Sequence, residues 1–296
     1  MPVEQNEAAL VEQNRSVVGI SNTYMKGGEW LAHAADDIKG ITTGVRKIVV
    51  VPYALADMDW YGNKLGSAFA RMGIDAWDSP HKHVGDETRV IEDAEAVYIG
   101  GGNTGRLVAN LHSLRNADGS MVDKRPDAAQ QALVAAIRKK VGEGMPLLGA
   151  SAGLNVMAGD IRTTNDMHIA VQRLANESLV SRLDSLGVLP PHLSVNPHYI
   201  EKVVVSDEDR ARAIEINEGL GKVIDHQGES RETRLKEVVE MDPERIIIAL
   251  REGAYLVLNG KRMTIKGETG GLIFRHGEDQ VEIATDEDLS DLLNAA

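Results

Sequence analysis

The chain contains no cysteine. That removes disulfides, thiolate metal sites and cysteine nucleophiles together, and it fits a reducing compartment. It also has no apolar run near the roughly 18 residues that a membrane span needs. Met1 to Arg15 is polar and acidic, without the charged-then-apolar layout of a secretory signal. It reads as a flexible extension ahead of a single α/β domain over residues 16–296, and the expected location is the cytoplasm. Positive charge is scarce: 32 Lys and Arg face 45 Asp and Glu, for a net charge of -13. Nucleic acid and anionic membrane surfaces are therefore poor partners. Any anionic substrate must be held by a locally placed arginine or by backbone amides. There is no internal repeat and no low-complexity linker.

Apolar residues make up 43% of the 296 positions, enough for a sizeable core. Ser16–Ile20, Lys47–Val51, Ile74–Trp77 and Ala96–Ile99 read as strands, alternating with helical patterns at Glu29–Ile38, Trp60–Met72, Gly105–Leu114 and Ala128–Val141. This alternation predicts an α/β fold, a mainly parallel sheet with helices on both faces. Toward the C-terminus, Arg245–Leu250, Ala254–Leu258, Lys261–Ile265 and Gly271–Phe274 are short runs, with Asn259-Gly260 between two of them. They predict antiparallel hairpins closing the sheet edge. Asn116 to Asp127 is a polar surface insertion.

Between the run Met145–Leu148 and a helix-compatible stretch lies Gly149-Ala150-Ser151-Ala152-Gly153. A serine flanked by glycines at a strand-to-helix junction is the nucleophile-elbow pattern. Small neighbours let the turn close, and the helix behind it aims amides at a developing oxyanion. The same pattern also serves as a plain glycine-rich turn.

A serine nucleophile needs a base, an acid to orient it and donors for the oxyanion. Among nine histidines, His198 stands out, because Asn196-Pro197 ahead of it forms a rigid turn at the end of a short apolar strand. Two carboxylates compete for the third role. Asp166 lies in the polar turn Thr163-Thr164-Asn165-Asp166, and Glu252 follows the apolar strand Ile246–Leu250. Chemistry alone does not separate them. Gly100-Gly101-Gly102-Asn103-Thr104 lacks the ending of a phosphate loop. It suits an oxyanion wall built from the amides of Gly101 and Gly102, with Ala152 as a further donor, as well as it suits a structural turn.

Together these residues resemble peptidase E, the α-aspartyl dipeptidase family of serine peptidases. The likeness runs from about Val17 to Phe274. It is carried by Gly100–Thr104, Gly149–Gly153 with Asn155, Ile161–Met167, Asn196-Pro197-His198 and Gly228-Glu229-Ser230-Arg231. The resemblance implies a glutamine-amidotransferase-like fold with serine in place of that superfamily's cysteine. It further implies hydrolysis of Asp-Xaa dipeptides without a metal; beside it, no cofactor is expected, the expected partner is a short acidic peptide, and the chain is expected to be a monomer or homodimer. By position it makes Ser151 the nucleophile and His198 the base. Asp166 comes first for the third role because its motif is the longer match, with Glu252 its rival. Arg231 matches the arginine for the substrate's aspartate side chain, with Asn103 also in the substrate site. Two alternatives stand beside this reading: a cyanophycinase-like hydrolase of β-aspartyl-arginine polymer, and a non-catalytic small-molecule binding module of the same fold. The Asn116–Asp127 and Ala175–Pro191 segments are extra to the family pattern, and they bear on how strictly aspartate is selected.

Overall fold

A computed structural model describes residues 15–25, 27–111, 132–164, 185–200 and 231–294. β1 (Ser16–Ile20), β2 (Lys47–Val51), β3 (Ala76–Asp78), β4 (Val97–Ile99) and β5 (Leu147–Ala150) are parallel, in the order β3-β2-β4-β5-β1. Strands buried on both faces read as near-continuous aliphatic runs, and β1 and β2 do so. One face, with Val18, Ile20, Ile48, Val50 and Leu148, packs on α1 (Ala35–Ile41) and α2 (Met58–Ala70). The other face, with Val17, Val49, Val51, Ile99 and Leu147, packs on α3 (Glu87–Glu92), α4 (Thr104–Leu111), α5 (Ala132–Gly142) and the short α6 (Ala152–Asn155).

The expected hairpin is β8 (Ala254–Asn259) with β9 (Arg262–Gly267), paired antiparallel on the β1 edge of the sheet. Gly260 at its turn has φ 57°, as the Asn-Gly pair demands. The remaining C-terminal strands depart from expectation. β7 (Ile246–Arg251), β10 (Gly271–Phe274) and β11 (Val281–Ile283) do not extend that edge. They join β6 (Leu193–Tyr199) in a second sheet of order β11-β10-β7-β6, in which only β6 and β7 run parallel. The physical reason is burial. Five consecutive residues of β7, Ile246 to Leu250, are buried and need cover on both faces. Ile246, Ile248 and Leu250 pack toward the large sheet, while Ile247 and Ala249 pack under Leu235, Val238 and Val239 of α7 (Arg231–Met241). Among the described residues, no helix is long and apolar enough to cross a membrane.

Candidate active site

Ser151 follows β5 directly and forms the N-cap of α6, with φ 55° and ψ -115°. Non-glycine residues rarely enter that region, and such strain persists only where the surroundings over-determine it. Here the surroundings are backbone. The Ser151 N–H donates to the Ile20 carbonyl at 2.9 Å. A Cβ added at Gly153 would lie 2.1 Å from the Ile99 carbonyl oxygen, so α6 rests on β4 with no room for a side chain.

His198 reaches the same place from the second sheet. β6 does not stop at Asn196-Pro197, as the sequence suggests, but continues through a bulge between Asn196 and Tyr199. As the outermost strand it can accommodate a proline there. The bulge turns His198 to φ 54°. Its N–H donates to Ser21 Oγ at 2.8 Å, and that buried hydroxyl donates to the Leu250 carbonyl at 3.0 Å. The imidazole Nε2 then lies 2.9 Å from Ser151 Oγ, and Nδ1 lies 2.9 Å from Glu252 Oε1. With Glu252 ionised, Nδ1 carries the hydrogen and Nε2 is left to accept from the serine hydroxyl. Glu252 is held in turn by its neighbours. The Gly253 N–H donates to Asn22 Oδ1 at 2.7 Å, and Thr269 Oγ1 donates to the Glu252 carbonyl at 2.7 Å.

Of the two rival carboxylates, Glu252, placed second from the sequence, is the one the described residues bring to His198 Nδ1. Asp166 lies outside the described residues. The glycine wall also needs a correction. Gly101 does face the serine, since a Cβ there would sit 3.0 Å from Ser151 Cβ. Its N–H, however, donates to Tyr61 Oη at 2.9 Å and is not available to an oxyanion. The amides of Gly102 and Ala152 have no such partner among the described residues. Ala152 opens a helix, where the first amides lack intrahelical acceptors. Asn103 Oδ1 accepts the Arg106 N–H at 2.8 Å, capping α4.

The model of Peptidase family S51 matches residues 17–123 and 127–266. The chain belongs to Peptidase family S51. Among its curated relatives are proteins named Peptidase E. The one from Streptomyces coelicolor is 34% identical, with 93% of each chain covered. The one from Nostoc is 29% identical, covering 94% of this chain and 96% of the other. In fold it is similar to the crystal structure of a peptidase from an acI-B1 Actinobacterium. There the TM-score is 0.57 at 16% identity, over 93% of this chain and 96% of that one.

Arg231 of this S51 peptidase is the first described residue of α7 and is half-buried. Burial lowers its guanidinium pKa, Glu252 raises it, Arg234 lowers it and Tyr199 raises it, so the group lies within electrostatic reach of both Glu252 and Tyr199. Its Nη1 is buried without a hydrogen-bond partner among the described residues. A buried donor left without an acceptor is costly, so this nitrogen is a candidate to meet a ligand oxygen. Three site residues escape sequence reasoning: Ser21, Asn22 and Tyr61. The signal for the first two was their position, a polar pair at the end of β1, the strand beside the one that ends in Ser151. For Tyr61 there was none, since its contact with Gly101 spans 40 residues.

Proposed function

We propose that this S51 peptidase is a cytoplasmic serine exopeptidase that hydrolyses dipeptides with N-terminal aspartate through an acyl-enzyme. The observation that supports this most is the unbroken line from Ser151 Oγ through His198 to Glu252, with both contacts at 2.9 Å. Ser151 Oγ attacks the scissile carbonyl while His198 Nε2 takes its proton. Glu252 fixes the tautomer and stabilises the imidazolium. The amides of Gly102 and Ala152 donate to the tetrahedral oxyanion. His198 gives its proton to the leaving amine, and water, deprotonated by the same nitrogen, releases aspartate. The Arg231 guanidinium, whose Nη1 has no hydrogen-bond partner among the described residues, receives the substrate's side-chain carboxylate, for which its planar donor fork is suited.

Leucine release from Asp-Leu, Leu-Leu and a β-aspartyl-leucine dipeptide tests the proposal. Asp-Leu is expected to be cleaved and the other two to lag by about a hundredfold or more, the selectivity a site built around a buried polar group supplies. Ser151→Ala should lower kcat by at least about 10⁴-fold. Equal turnover of Leu-Leu, or full activity in Ser151→Ala, would sink it.

A further inference from the structure

We infer that the aromatic ledge of Tyr24, Trp30 and Trp60 takes the side chain of the residue released on cleavage, and that this side chain is apolar. The inference rests on the function proposed above and adds to it the chemistry of the second substrate residue.

Aromatic side chains are scarce in this chain, with 3 Trp, 6 Tyr and 2 Phe in 296 residues. Four of them meet at one edge of the site. Tyr24 and Trp30 stack with ring centroids 6.3 Å apart and planes 9° from parallel. Trp30 meets Trp60 edge-on at 5.9 Å and Tyr61 at 5.4 Å. The innermost ring, Tyr61, is buried, whereas Tyr24 is 55% and Trp60 49% exposed. Large rings left in solvent side by side mark a binding surface more often than they mark chance.

The ledge is tied to the reacting groups at two points. Tyr61 Oη accepts the N–H of Gly101, the residue whose α-carbon faces Ser151. Asn22 Nδ2 donates to the Tyr24 carbonyl at 2.7 Å, while Asn22 Oδ1 holds the amide of Gly253 next to Glu252. Its backbone is strained as well. Among the described non-glycine residues only four have positive φ, and they include Ser151, His198 and Leu31, the residue after Trp30. Leu31 is fully buried, and its N–H donates to the Thr23 carbonyl at 2.8 Å, which holds Trp30 against Tyr24. A bulky residue in that conformation is kept for a reason, and strain of this kind gathers at ligand-binding sites.

The two ends of the site also differ in chemistry. Trp30 packs with the core layer of α1 and α2, on one face of the large sheet. His198 and Glu252 come from the second sheet, which packs against the opposite face, and Arg231 belongs to α7, which packs on that sheet. A dipeptide whose carboxylate reaches Arg231 and whose scissile carbonyl lies at Ser151 points its other half toward the ledge.

The test is a panel of dipeptides with Asp, Asn or Leu in the first position and Gly, Ala, Leu or Phe in the second, read as kcat/KM. Within the favoured first-residue series, Leu and Phe should exceed Gly by roughly tenfold or more, the range an apolar pocket supplies. Trp60→Ala and Tyr24→Ala should each shrink that Leu-to-Gly ratio severalfold, and Trp60→Phe should restore most of it. Equal turnover of Gly and Leu, or a ratio unmoved by both alanine variants, would overturn the inference. Failure of the aspartate reading shows separately, as Asn or Leu matching Asp in the first position. If no dipeptide is cleaved, both fall.

Discussion

Ser151 and His198 share a positive φ that side-chain-bearing residues seldom adopt, at 55° and 54°, yet two regions of the molecule impose it by different means. At Ser151 the means is contact between backbones. β5, α6 and β4 close on one another until Gly153 has no space for a methyl group. At His198 the means is hydrogen bonding on an outer strand, where a bulge supplies the turn and Ser21 Oγ holds the amide. Ser151, the proposed nucleophile, is held by packing and tolerates no added volume around it. A base held by polar contacts tolerates volume but not the loss of a partner.

The largest break in this arrangement is expected at the carboxylate. Glu252→Gln should lower kcat by about 10³ to 10⁴-fold, because the amide lets the imidazole take the wrong tautomer. Asp166→Asn, measured beside it, should cost far less; a loss as large as that of Glu252→Gln would transfer the orienting role. A smaller effect separates the two kinds of support. Ser21→Ala should reduce kcat by roughly tenfold to a hundredfold through displacement of the base. It should cost only about 1 kcal/mol of unfolding free energy. Gly153→Ala should do more to stability, about 1 to 3 kcal/mol by urea unfolding, since backbone must move to admit the Cβ. Should Ser21→Ala keep full kcat, hydrogen bonding is not what positions His198.

The smallest effect concerns the seam between the two regions. Asp242, before β7, binds Arg162 at 2.7 Å and Arg245 at 2.9 Å, and Arg162 and Arg245 also grip Asp160 in the segment after α6. The hydrogen bond from Arg162 is the main cause that holds the Asp242 carboxyl below its ordinary pKa. A carboxylate with a depressed folded pKa stabilises the fold above its unfolded value, near 3.9, and that contribution fades as pH falls below it. Urea unfolding between about pH 5 and pH 3 should therefore lose stability less steeply in Asp242→Asn than in wild type. Identical slopes would show that the clasp does not hold the seam.

What the sequence makes legible follows the range of the interactions. β1, β2 and β10 span the residues that their aliphatic runs predict, and the Ser151 elbow is visible because all its determinants are local. Periodicity says that Ile246–Leu250 is a buried strand but not which sheet buries it, so β7 and β10 were expected on the wrong edge. The pairing of His198 with Glu252 spans 54 residues and depends on β6 lying beside β7, which no short motif encodes. The glycine wall is legible as a wall. Which of its amides is occupied is not, because that depends on how α2 presents Tyr61.

Ser21 joins three strands with one hydroxyl: the end of β1, the amide of His198 on β6 and the last buried carbonyl of β7. The proposed nucleophile and base sit on opposite sides of that joint. Catalytic turnover is therefore a gauge of how the two sheets are aligned. A slip between them of a few tenths of an ångström would leave both cores packed and the helices intact. It would still part Oγ from Nε2, and the enzyme would fall silent while every measure of its folding read normal.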